Sequence, residues 1–333
     1  MARATIRDVS ERAGVSTKTV SRVLNKERYV DALTRAKVEA AMAALDFSPS
    51  PAARALAGGR SFQLAVICAN PSPYYVHAIQ AGVRARAQAE GVRVMLHPYD
   101  VAADDLADEI ARLVDQTRPE GVILTPPVTD AAAVTAVLAA RGVPYVRIQP
   151  GTEPERGRSV HINNHAAAAA MTRRLIALGH RRIGYVGGHP AYAASAQRLA
   201  GHRAALAEAD VVEEAALVRQ GRFDFASGSR AARALLGLRP RPTAIFAASD
   251  DMAAGVIAEA HRRGVRMPAE LSVAGFDDTD LAGVIWPPLT TVRQPVRDLA
   301  WQAADLLFGG GAEDERRELP FAIVERDSTG WAD

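Results

Sequence analysis

TIRDVSERAGVSTKTVSRVL, residues 5–24, has the pattern of two short helices joined by a tight turn. The first helix has one apolar face at helical spacing, formed by Ile6, Val9 and Ala13. Thr5 with Asp8 three residues later predicts a capped start, because each side chain can satisfy a backbone amide of the first turn. Gly14 predicts the end of this helix, since glycine readily takes the left-handed conformation found there.

The second helix divides into an apolar face and a polar face. Ser16 is its predicted N-cap, and its apolar face carries Val20, Val23 and Leu24. The opposite face carries two hydroxyls and two cations, namely Thr17, Ser21, Lys18 and Arg22. Such a face on a short protruding helix suits base edges and phosphates in the DNA major groove. A solvated helical hairpin without a ligand is the alternative that the spacing alone leaves open.

The residues that follow favour the DNA-binding interpretation. Asn25 closes the second helix, and Asp31 or Thr34 can cap a third, whose apolar stripe is Val38, Ala41, Met42 and Leu45. Residues 1–61 contain eleven Lys and Arg against six Asp and Glu, a net charge of +5, while the whole chain is +2 and the remainder is therefore −3. The basic excess is local, as a phosphate-binding head requires.

Residues 46–61, DFSPSPAARALAGGRS, carry the signals of a short helix within a linker-like composition. Ser50 can cap it and Pro51 can start it, and it is followed by Gly58 and Gly59. A helix of about seven residues is marginal in water unless something packs on it. We therefore predict a hinge helix that forms when two copies meet on DNA, with Leu56 as an exposed wedge between base steps. The alternative is a flexible tether whose leucine contacts the next domain.

This region resembles the head piece and hinge of the lactose/galactose repressor (LacI/GalR) family of bacterial transcription regulators. The resemblance is carried without a gap by TIRDVSERAGVSTKTVSRVLN, TRAKVEAAMAALDFSP and ARALAGGRS. It implies that bases are read by Thr17, Lys18 and Arg22, that phosphates are held by Ser16, Thr19, Ser21, Asn25 and Tyr29, and that Leu56 pries open the central base step. We add to this DNA-contacting set Thr5, Ser50 and Ala53. The family usually has Asn at Ser50 and often Tyr at Phe47, and both departures keep the cap or the core contact.

Beyond residue 62, short apolar runs alternate with helical stretches. Runs such as 63–68 and 121–124 are continuously apolar, and an amphipathic stretch follows each of them. Such strands imply parallel sheets covered by helices on both faces. The pattern restarts after Ser159, which predicts two doubly wound lobes. The predicted fold class is α/β: a small all-α helix-turn-helix head and a two-lobed core of doubly wound parallel sheets.

Ligands of open parallel sheets bind beyond the carboxyl ends of the strands. The segments at those positions gather aromatic, hydroxyl and carboxylate side chains, at 70–75, 125–127, 187–189, 249–251 and 275–278. This inventory fits a sugar-like or other polyhydroxylated ligand, since sugar C–H faces stack on rings and sugar hydroxyls bond to charged groups. Plainer roles stay open: edge packing for Tyr74 and Tyr75, turn carboxylates for Asp277 and Asp278, and an ion pair for Arg198.

The core also resembles the effector-binding core of the same family, which is similar to periplasmic sugar-binding proteins (type I). The resemblance is carried by SAQRLAGHRAAL, IFAASDDMAAGV, LSVAGFDDTDLA and WPPLTTVRQP, so it covers nearly the whole chain. It implies that Arg198 and Asp277 are the main effector ligands and that Tyr75 and Trp286 are stacking walls. The implied effector set is completed by Tyr74, His165 and Ser249, the last of which stands where the family commonly has Asn.

The predicted domains follow from these matches. Residues 1–47 are the head, 48–61 the hinge, 62–158 with 292–321 the first lobe, and 159–291 with 322–330 the second lobe. An effector in the cleft can change the lobe angle and so the spacing of two heads on a pseudo-palindromic DNA operator. We expect a homodimer, because one helix-turn-helix makes too few contacts to select a site, and the tail after Arg326 has no leucine heptad for a larger assembly.

Several classes of function are disfavoured by motifs that the sequence lacks. There is no G-x-S-x-G, P-loop, H-E-x-x-H or cysteine pair, so we expect no enzyme, no metal and no cofactor. Cys68 is expected to pack in an apolar run, and a single cysteine is consistent with a reducing cytosol. The sequence shows no export signal and no membrane-length run, which predicts a cytoplasmic location. The main alternative is a sugar-binding solute-binding protein without a role in gene regulation.

Overall fold

The computed structural model describes residues 4–24, 29–47, 61–153, 155–310 and 312–332. The head in the first two of these ranges has three helices, which are α1 (Ile6–Ala13), α2 (Thr17–Leu24) and α3 (Ala32–Ala44). They share one buried core of small and branched apolar side chains, formed by Val9, Val20, Val23, Val38 and Ala41. The helix-turn-helix that the periodicity predicts is therefore confirmed.

The predicted caps of the head are present. The Thr5 side chain accepts from the amide of Asp8, and the Asp8 carboxylate accepts from the amide of Thr5 at 2.7 Å. Gly14 ends α1 in the left-handed conformation, with φ of 66°. Of the two candidate caps for α3, Asp31 is the one used, since it accepts from the amide of Thr34. The predictions for Asn25, Ser50, Ala53, Leu56 and the hinge helix lie outside the described residues.

The rest of the chain alternates strands and helices. In chain order these are β1 (Gln63–Ile67), α4 (Pro73–Ala89), β2 (Arg93–His97), α5 (Leu106–Thr117), β3 (Gly121–Leu124), α6 (Ala132–Ala140), β4 (Tyr145–Ile148), β5 (Ser159–His161), α7 (Asn164–Ala177), β6 (Ile183–Gly187), α8 (Ala193–Glu208), β7 (Val218–Gln220), α9 (Phe225–Leu235), β8 (Ala244–Ala247), α10 (Asp250–Arg262), β9 (Ser272–Asp277), α11 (Asp280–Val284), β10 (Thr290–Arg293), α12 (Val296–Phe308), β11 (Arg316–Glu318) and β12 (Ala322–Val324). No helix in the described ranges is both long and apolar enough to cross a membrane.

The first sheet has the strand order β11-β5-β4-β3-β1-β2, and we call it with its helices the first lobe. The pairs that run from β1 through β3, β4 and β5 to β11 are parallel. β3 is buried at every position, as a strand covered on both faces must be. β5 pairs with β4 in this sheet, although the sequence predicts a second lobe from residue 159. The chain therefore leaves the first sheet after β5, a few residues later than predicted.

The second sheet has the strand order β12-β10-β9-β8-β6-β7, and we call it with its helices the second lobe. Only β12 pairs antiparallel to its neighbour, β10, among the strand pairs described. Its core holds the largest fully buried side chains, Tyr185, Phe246 and Phe276. The chain returns to the first lobe after β10, where α12 packs on α4, and crosses back after β11. Three crossings of the chain thus join the two lobes.

Candidate functional site

The outer face of α2 is polar and accessible. Val20 and Val23 are buried in the head core, so the opposite face is turned outward, and its exposed residues are Ser16, Thr17, Lys18 and Arg22. Thr19 and Ser21 are half-buried. The Ser16 hydroxyl accepts from the amide of Thr19 at 3.1 Å, which caps α2 and holds its first turn in place. The α2 sequence contains cations but no acidic residue, which favours an anionic partner.

Two further residues of the predicted DNA-contacting set lie outside α2. Tyr29 is 98% exposed, which leaves its hydroxyl accessible to a phosphate. Thr5 is exposed as well, but its hydroxyl donates to the Asp8 carboxylate at 2.8 Å and also accepts from the Asp8 amide. A contact between Thr5 and DNA would therefore compete with the cap of α1.

A cavity lies between the lobes, at the carboxyl ends of both sheets, with about 480 Å³ of space between atoms. That space includes open solvent, and the part of it that can hold the centre of a water molecule is about 40 Å³. Seven of the twelve residues that line the cavity end a strand or follow one within three residues, as the rule for parallel sheets predicts. The lining consists of Asn70, Ser72, Tyr75, Pro126, Gln149, Tyr192, Ala194, Arg198, Phe223, Ser249, Asp277 and Gln294.

Arg198 is a buried cation held in one orientation. It is 5% exposed, and its Nε donates to Asn164 Oδ1 at 2.9 Å while its Nη1 donates to the Ala248 carbonyl at 2.7 Å. The guanidinium carbon lies 3.5 Å from the centre of the Phe276 ring, which adds a cation–π contact. Asp277 Oδ1 is 3.7 Å from Nη1. The guanidinium is thus fixed by neutral partners and still lies beside a carboxylate at the cavity wall.

Asp277 is the carboxylate of this wall. Gln294 Nε2 donates to its Oδ1 at 2.5 Å, and Gln294 Oε1 in turn accepts from Gln149 Nε2 at 3.3 Å. This chain of amides joins the carboxylate to the first lobe. Burial raises the pKa of Asp277 to about 7, against the opposing effects of Arg198 and Gln294. The site therefore holds a group that changes charge near neutral pH.

Asp250 supports the loop that follows Asp277 from behind. It accepts from the amide of Thr279 at 2.7 Å and from the hydroxyl of Thr291 at 2.6 Å. Burial, and then the neighbouring Asp277, raise the pKa of Asp250 well above its ordinary value. Asp250 does not line the cavity, so we assign it a positioning role in this loop.

Three lining residues have positive φ although none of them is glycine: Gln149 at 53°, Phe223 at 63° and Asp277 at 120°. A backbone of this kind costs on the order of 1–3 kcal/mol per residue and persists only where the surrounding structure requires it. Each of the three residues ends or follows a strand that reaches the cavity. Backbone strain at residues that line one cavity is a feature found at many binding sites.

The cavity also contains polar groups suited to a ligand with hydroxyls. Ser72 is 4% exposed, and its hydroxyl lies beside the Asp251 carboxylate, whose pKa it lowers against the larger opposing effect of burial. The hydroxyl also borders the cavity, where it can contact a ligand. Tyr75 is 7% exposed, and burial raises the pKa of its phenol, which therefore stays neutral. The wall thus offers neutral hydroxyls beside one cation and one carboxylate.

The structure brings four of the seven predicted effector residues to this cavity, namely Tyr75, Arg198, Ser249 and Asp277. The other three do not line it. Tyr74 lines an adjoining groove, which shares Tyr75, Asp277 and Gln294 with the cavity. His165 is exposed, and its neighbour Asn164 is the residue that contacts Arg198. Trp286 is 75% exposed and lies in the turn before β10, so the aromatic wall is Phe223 instead.

Several lining residues were not predicted. Phe223 follows β7, whose three residues are too short to give a recognisable apolar run. Tyr192 and Ala194 flank the start of α8, just ahead of the Arg198 motif. Gln149 is different, because it directly follows the predicted strand 143–148 and the strand-end rule would have found it. Gln294 belongs to a crossing between the lobes, where no periodic signal distinguishes it.

Two family descriptions match this chain. Residues 5–50 match "Bacterial regulatory proteins, lacI family", and residues 172–329 match "Periplasmic binding protein-like domain". The first range contains α1, α2 and α3, and the second contains Arg198 and Asp277. The two matches therefore fall on the two candidate sites.

Whole-length relatives are similar to both parts together. The HTH-type transcriptional repressor PurR of Vibrio cholerae serotype O1 (strain M66-2) is 31% identical over 98% of each chain. A crystal structure of the lac repressor dimer bound to operator and the anti-inducer ONPF has a TM-score of 0.86, at 32% identity over 99% of this chain and 100% of that one. A complex of the transcriptional regulator CelR with cellobiose has a TM-score of 0.74, at 30% identity over 98% and 100%.

Proposed function

This chain belongs to the LacI family of bacterial regulatory proteins, and from that premise we propose that it is a ligand-responsive, sequence-specific DNA-binding repressor. One observation carries the proposal: a single chain presents the exposed polar face of α2 and also encloses Arg198 and Asp277 in a strained, buried cavity. The first feature suits a polyanion and the second suits a small polar molecule. A protein that needed only one of these partners would have no use for the other feature.

For DNA, we propose the contacts that the family resemblance implies. Thr17, Lys18 and Arg22 read bases, and Leu56 opens the central step of the operator. Phosphates and the flanking backbone are contacted by Thr5, Ser16, Thr19, Ser21, Asn25, Tyr29, Ser50 and Ala53. Two copies of the chain bind a pseudo-palindromic operator, because pairing by a two-fold axis doubles the contacts of one small head. The lac repressor structure, which is a dimer on its operator, supports this arrangement.

For the effector, we propose a sugar or sugar derivative in the cavity between the lobes. Asp277 accepts ligand hydroxyls and Arg198 donates to them, while Phe223 and Tyr75 pack on the ring. The Ser72 hydroxyl at the cavity wall adds a neutral contact. Cellobiose in the CelR complex is a precedent for a sugar in this family.

Coupling between the two partners requires only that DNA and effector prefer different lobe angles. We assign the head to residues 1–47 and the hinge to 48–61, and divide the core as predicted except that the first crossing follows β5. Because the hinge joins the head to the first lobe, a change in lobe angle can alter the spacing of two heads. The chain acts where its operator is, in the cytoplasm.

The alternative function is that of a sugar-binding protein without gene regulation. The cavity alone is compatible with it, so the discriminating measurement concerns DNA. We expect the full-length protein, incubated with random duplex oligonucleotides at moderate salt, to enrich a pseudo-palindromic sequence. Failure to enrich any sequence, with or without sugars, would support the alternative and overturn the proposal.

The same selected operator tests the effector part of the proposal. A panel of sugars and nucleobases is screened for a rise in melting temperature, since a ligand that binds only the folded state stabilises it. A compound that raises it should also change operator affinity in the wild type and leave operator affinity unchanged in Asp277→Ala. An Asp277→Ala protein that responds like the wild type would place the effector elsewhere.

A further inference from the structure

The start of α8 in the second lobe reaches across the cleft and contacts the first lobe at two points. The Tyr192 hydroxyl donates to the Ala69 carbonyl, just beyond β1. The methyl group of Ala193, the next residue, lies against Gly151, just beyond β4. Ala194, the residue after that, lines the cavity. The distance between the lobes and the shape of the cavity are therefore determined by the same turn of helix.

The contact at Gly151 leaves no room for a side chain. A Cβ atom added there would lie 1.8 Å from the Ala193 Cβ and 3.3 Å from the Ala193 Cα. The backbone of Gly151 is outside the left-handed region, so its conformation does not itself require glycine. The requirement comes from the approach of the other lobe alone.

Gly151 is held rigidly from the first-lobe side. Its amide donates to Asp130 Oδ1 at 2.9 Å. The buried Arg147 joins this segment to the turn that carries Asp130, because its guanidinium donates to the carbonyl of Thr152 at 2.6 Å and to that of Thr129 at 2.8 Å. A larger side chain at 151 could not be accommodated by a small movement of this segment, so the lobes would have to separate.

The second-lobe side is equally fixed. The Ser195 hydroxyl donates to the His189 carbonyl at 2.7 Å, which closes the loop ahead of α8. The Tyr192 ring is 6% exposed and packs edge-on against Phe223, with the ring centres 5.3 Å apart. Tyr192 therefore closes the cavity beside the aromatic wall and has little freedom to turn away.

We propose that the contact between Ala193 and Gly151 is a steric stop that sets how closely the lobes approach, and that Tyr192 caps the cavity so that only an effector of single-ring size fits. This inference rests on the proposed function, since it specifies the effector of the same cavity. The water-accessible space of the cavity is small, about 40 Å³, which favours a small ligand over a large one. A disaccharide such as the cellobiose of the CelR complex would require this stop to be released.

The stop is tested without any ligand by comparing Gly151→Ala with Gly283→Ala. Gly283 is a matched control, because a Cβ there meets nothing within 4 Å and its backbone is also outside the left-handed region. Spin labels are placed on the full-length chain at the exposed positions Asp104 and Val212, one on each lobe, while Cys68 is buried. Labelled chain is diluted with unlabelled chain, so that pulsed electron resonance reports the distance within one copy.

The Gly151→Ala label distance should differ from wild type by about 2 Å or more, since two methyl groups need about 3.5–4.0 Å between them. Gly283→Ala should match the wild type. A far-ultraviolet circular dichroism spectrum and a cooperative melting transition like those of the wild type show that each variant is folded. A Gly151→Ala protein with the wild-type label distance would overturn the proposal that this contact sets how closely the lobes approach.

The size limit is tested with sugars as probes, namely glucose, galactose and ribose against cellobiose, lactose and maltose. We expect a monosaccharide, and no disaccharide, to raise the melting temperature of the wild type. Tyr192→Ala and Gly151→Ala should lose about tenfold in affinity for that monosaccharide and gain a response to a disaccharide. Tyr192→Phe, which keeps the ring, should keep the size limit.

A wild-type response to a disaccharide, or to none of the six sugars, overturns the size limit. These failures are distinct from failure of the proposed function, which is decided by operator selection. A protein that selects an operator and also accepts disaccharides remains a repressor without a size limit. A protein that rejects disaccharides but selects no operator is a small-sugar binder that is not a repressor.

Discussion

Arg22 and Arg198 carry the same charge in opposite surroundings. Arg22 lies on the exposed face of α2, where salt screens its interactions with distant charges. Arg198 is 5% exposed, and its guanidinium is oriented by Asn164, Ala248 and the Phe276 ring. A surface of exposed cations gains affinity for DNA from the number of its contacts. A cavity with one fixed cation gains selectivity from the few groups that it holds in place.

The comparison predicts whether a substitution changes binding or folding stability. Removing an exposed cation leaves its polar neighbours in contact with water, so its effect should appear mainly in binding. Removing the buried one leaves acceptors without donors in a region of low dielectric, where unpaired groups are most unfavourable. The predictions below test this division from the largest expected effect to the smallest.

Arg198→Ala should lower the free energy of unfolding by about 3–5 kcal/mol, because two buried acceptors each lose their donor at about 1–3 kcal/mol apiece. Asn164 Oδ1 and the Ala248 carbonyl each lose a donor, and Asp277 loses its neighbouring cation. Urea denaturation of the full-length protein measures the change. Arg203→Ala is the control, because Arg203 is 53% exposed in its pair with Glu213, and its removal should cost less than about 1 kcal/mol. Equal losses of unfolding free energy in the two variants would contradict the expected difference between buried and exposed cations.

Asp277→Asn should change how stability depends on pH. The folded-state pKa of Asp277 is raised to about 7, so between pH 4 and 7 the folded carboxyl keeps a proton that the unfolded chain has lost. This group therefore lowers the free energy of unfolding as pH rises through that window, and has no further effect above it. The Asp277→Asn variant has no titrating carboxyl at this position, so its free energy of unfolding does not fall in this way.

The expected result is a difference in unfolding free energy, variant minus wild type, that rises from pH 4 to 7 and then levels off. Urea titrations at several pH values within and above the window measure it. The exposed Asp280, on the same loop, supplies the control variant Asp280→Asn, whose profile should parallel the wild type. Parallel profiles for Asp277→Asn would show that its carboxyl is not held protonated by burial.

The head could be predicted from sequence far better than the cavity, and the reason is locality. Thr5, Asp8 and Gly14 act within one turn of their own helix, so a local pattern is enough to identify the caps. The cavity is assembled from strand ends far apart in the chain. Gln149 and Gln294 meet at 3.3 Å across 145 residues, and neither has a local signal of that contact.

The predicted effector residues that do not line the cavity have the same explanation, since the cavity is formed by residues far apart in the chain. Trp286 and Phe223 are both aromatic residues near a strand, and composition does not tell which of them faces inward. The fold does: Phe223 packs beside Tyr192 at the cavity, and Trp286 lies in an exposed turn. Arg198 and Asp277 were identified because the resemblance to the LacI family covers their motifs. A family resemblance carries information about contacts between distant residues, which periodicity does not.

Arg22→Ala should lose about 1–3 kcal/mol of operator discrimination, the range for one side chain that reads a base. The measurement is the ratio of affinities for selected and random duplexes at one salt concentration. Arg12→Ala, on the exposed side of α1, removes the same charge and should weaken both affinities while leaving their ratio unchanged. An unchanged ratio in Arg22→Ala would remove Arg22 from the base-reading set.

Tyr29→Phe should have the smallest effect, and it tests the exposed side of the comparison most directly. The side chain is 98% exposed, so loss of its hydroxyl should leave the free energy of unfolding unchanged. A lost hydrogen bond to a phosphate should weaken selected and random duplexes alike, by about 0.5–1.5 kcal/mol. Tyr74→Phe, which removes a hydroxyl from an exposed ring of the core, is the matched control and should alter neither quantity. A drop in stability for Tyr29→Phe would mean that the hydroxyl serves the fold of the head, and a change in the affinity ratio would mean that it reads sequence.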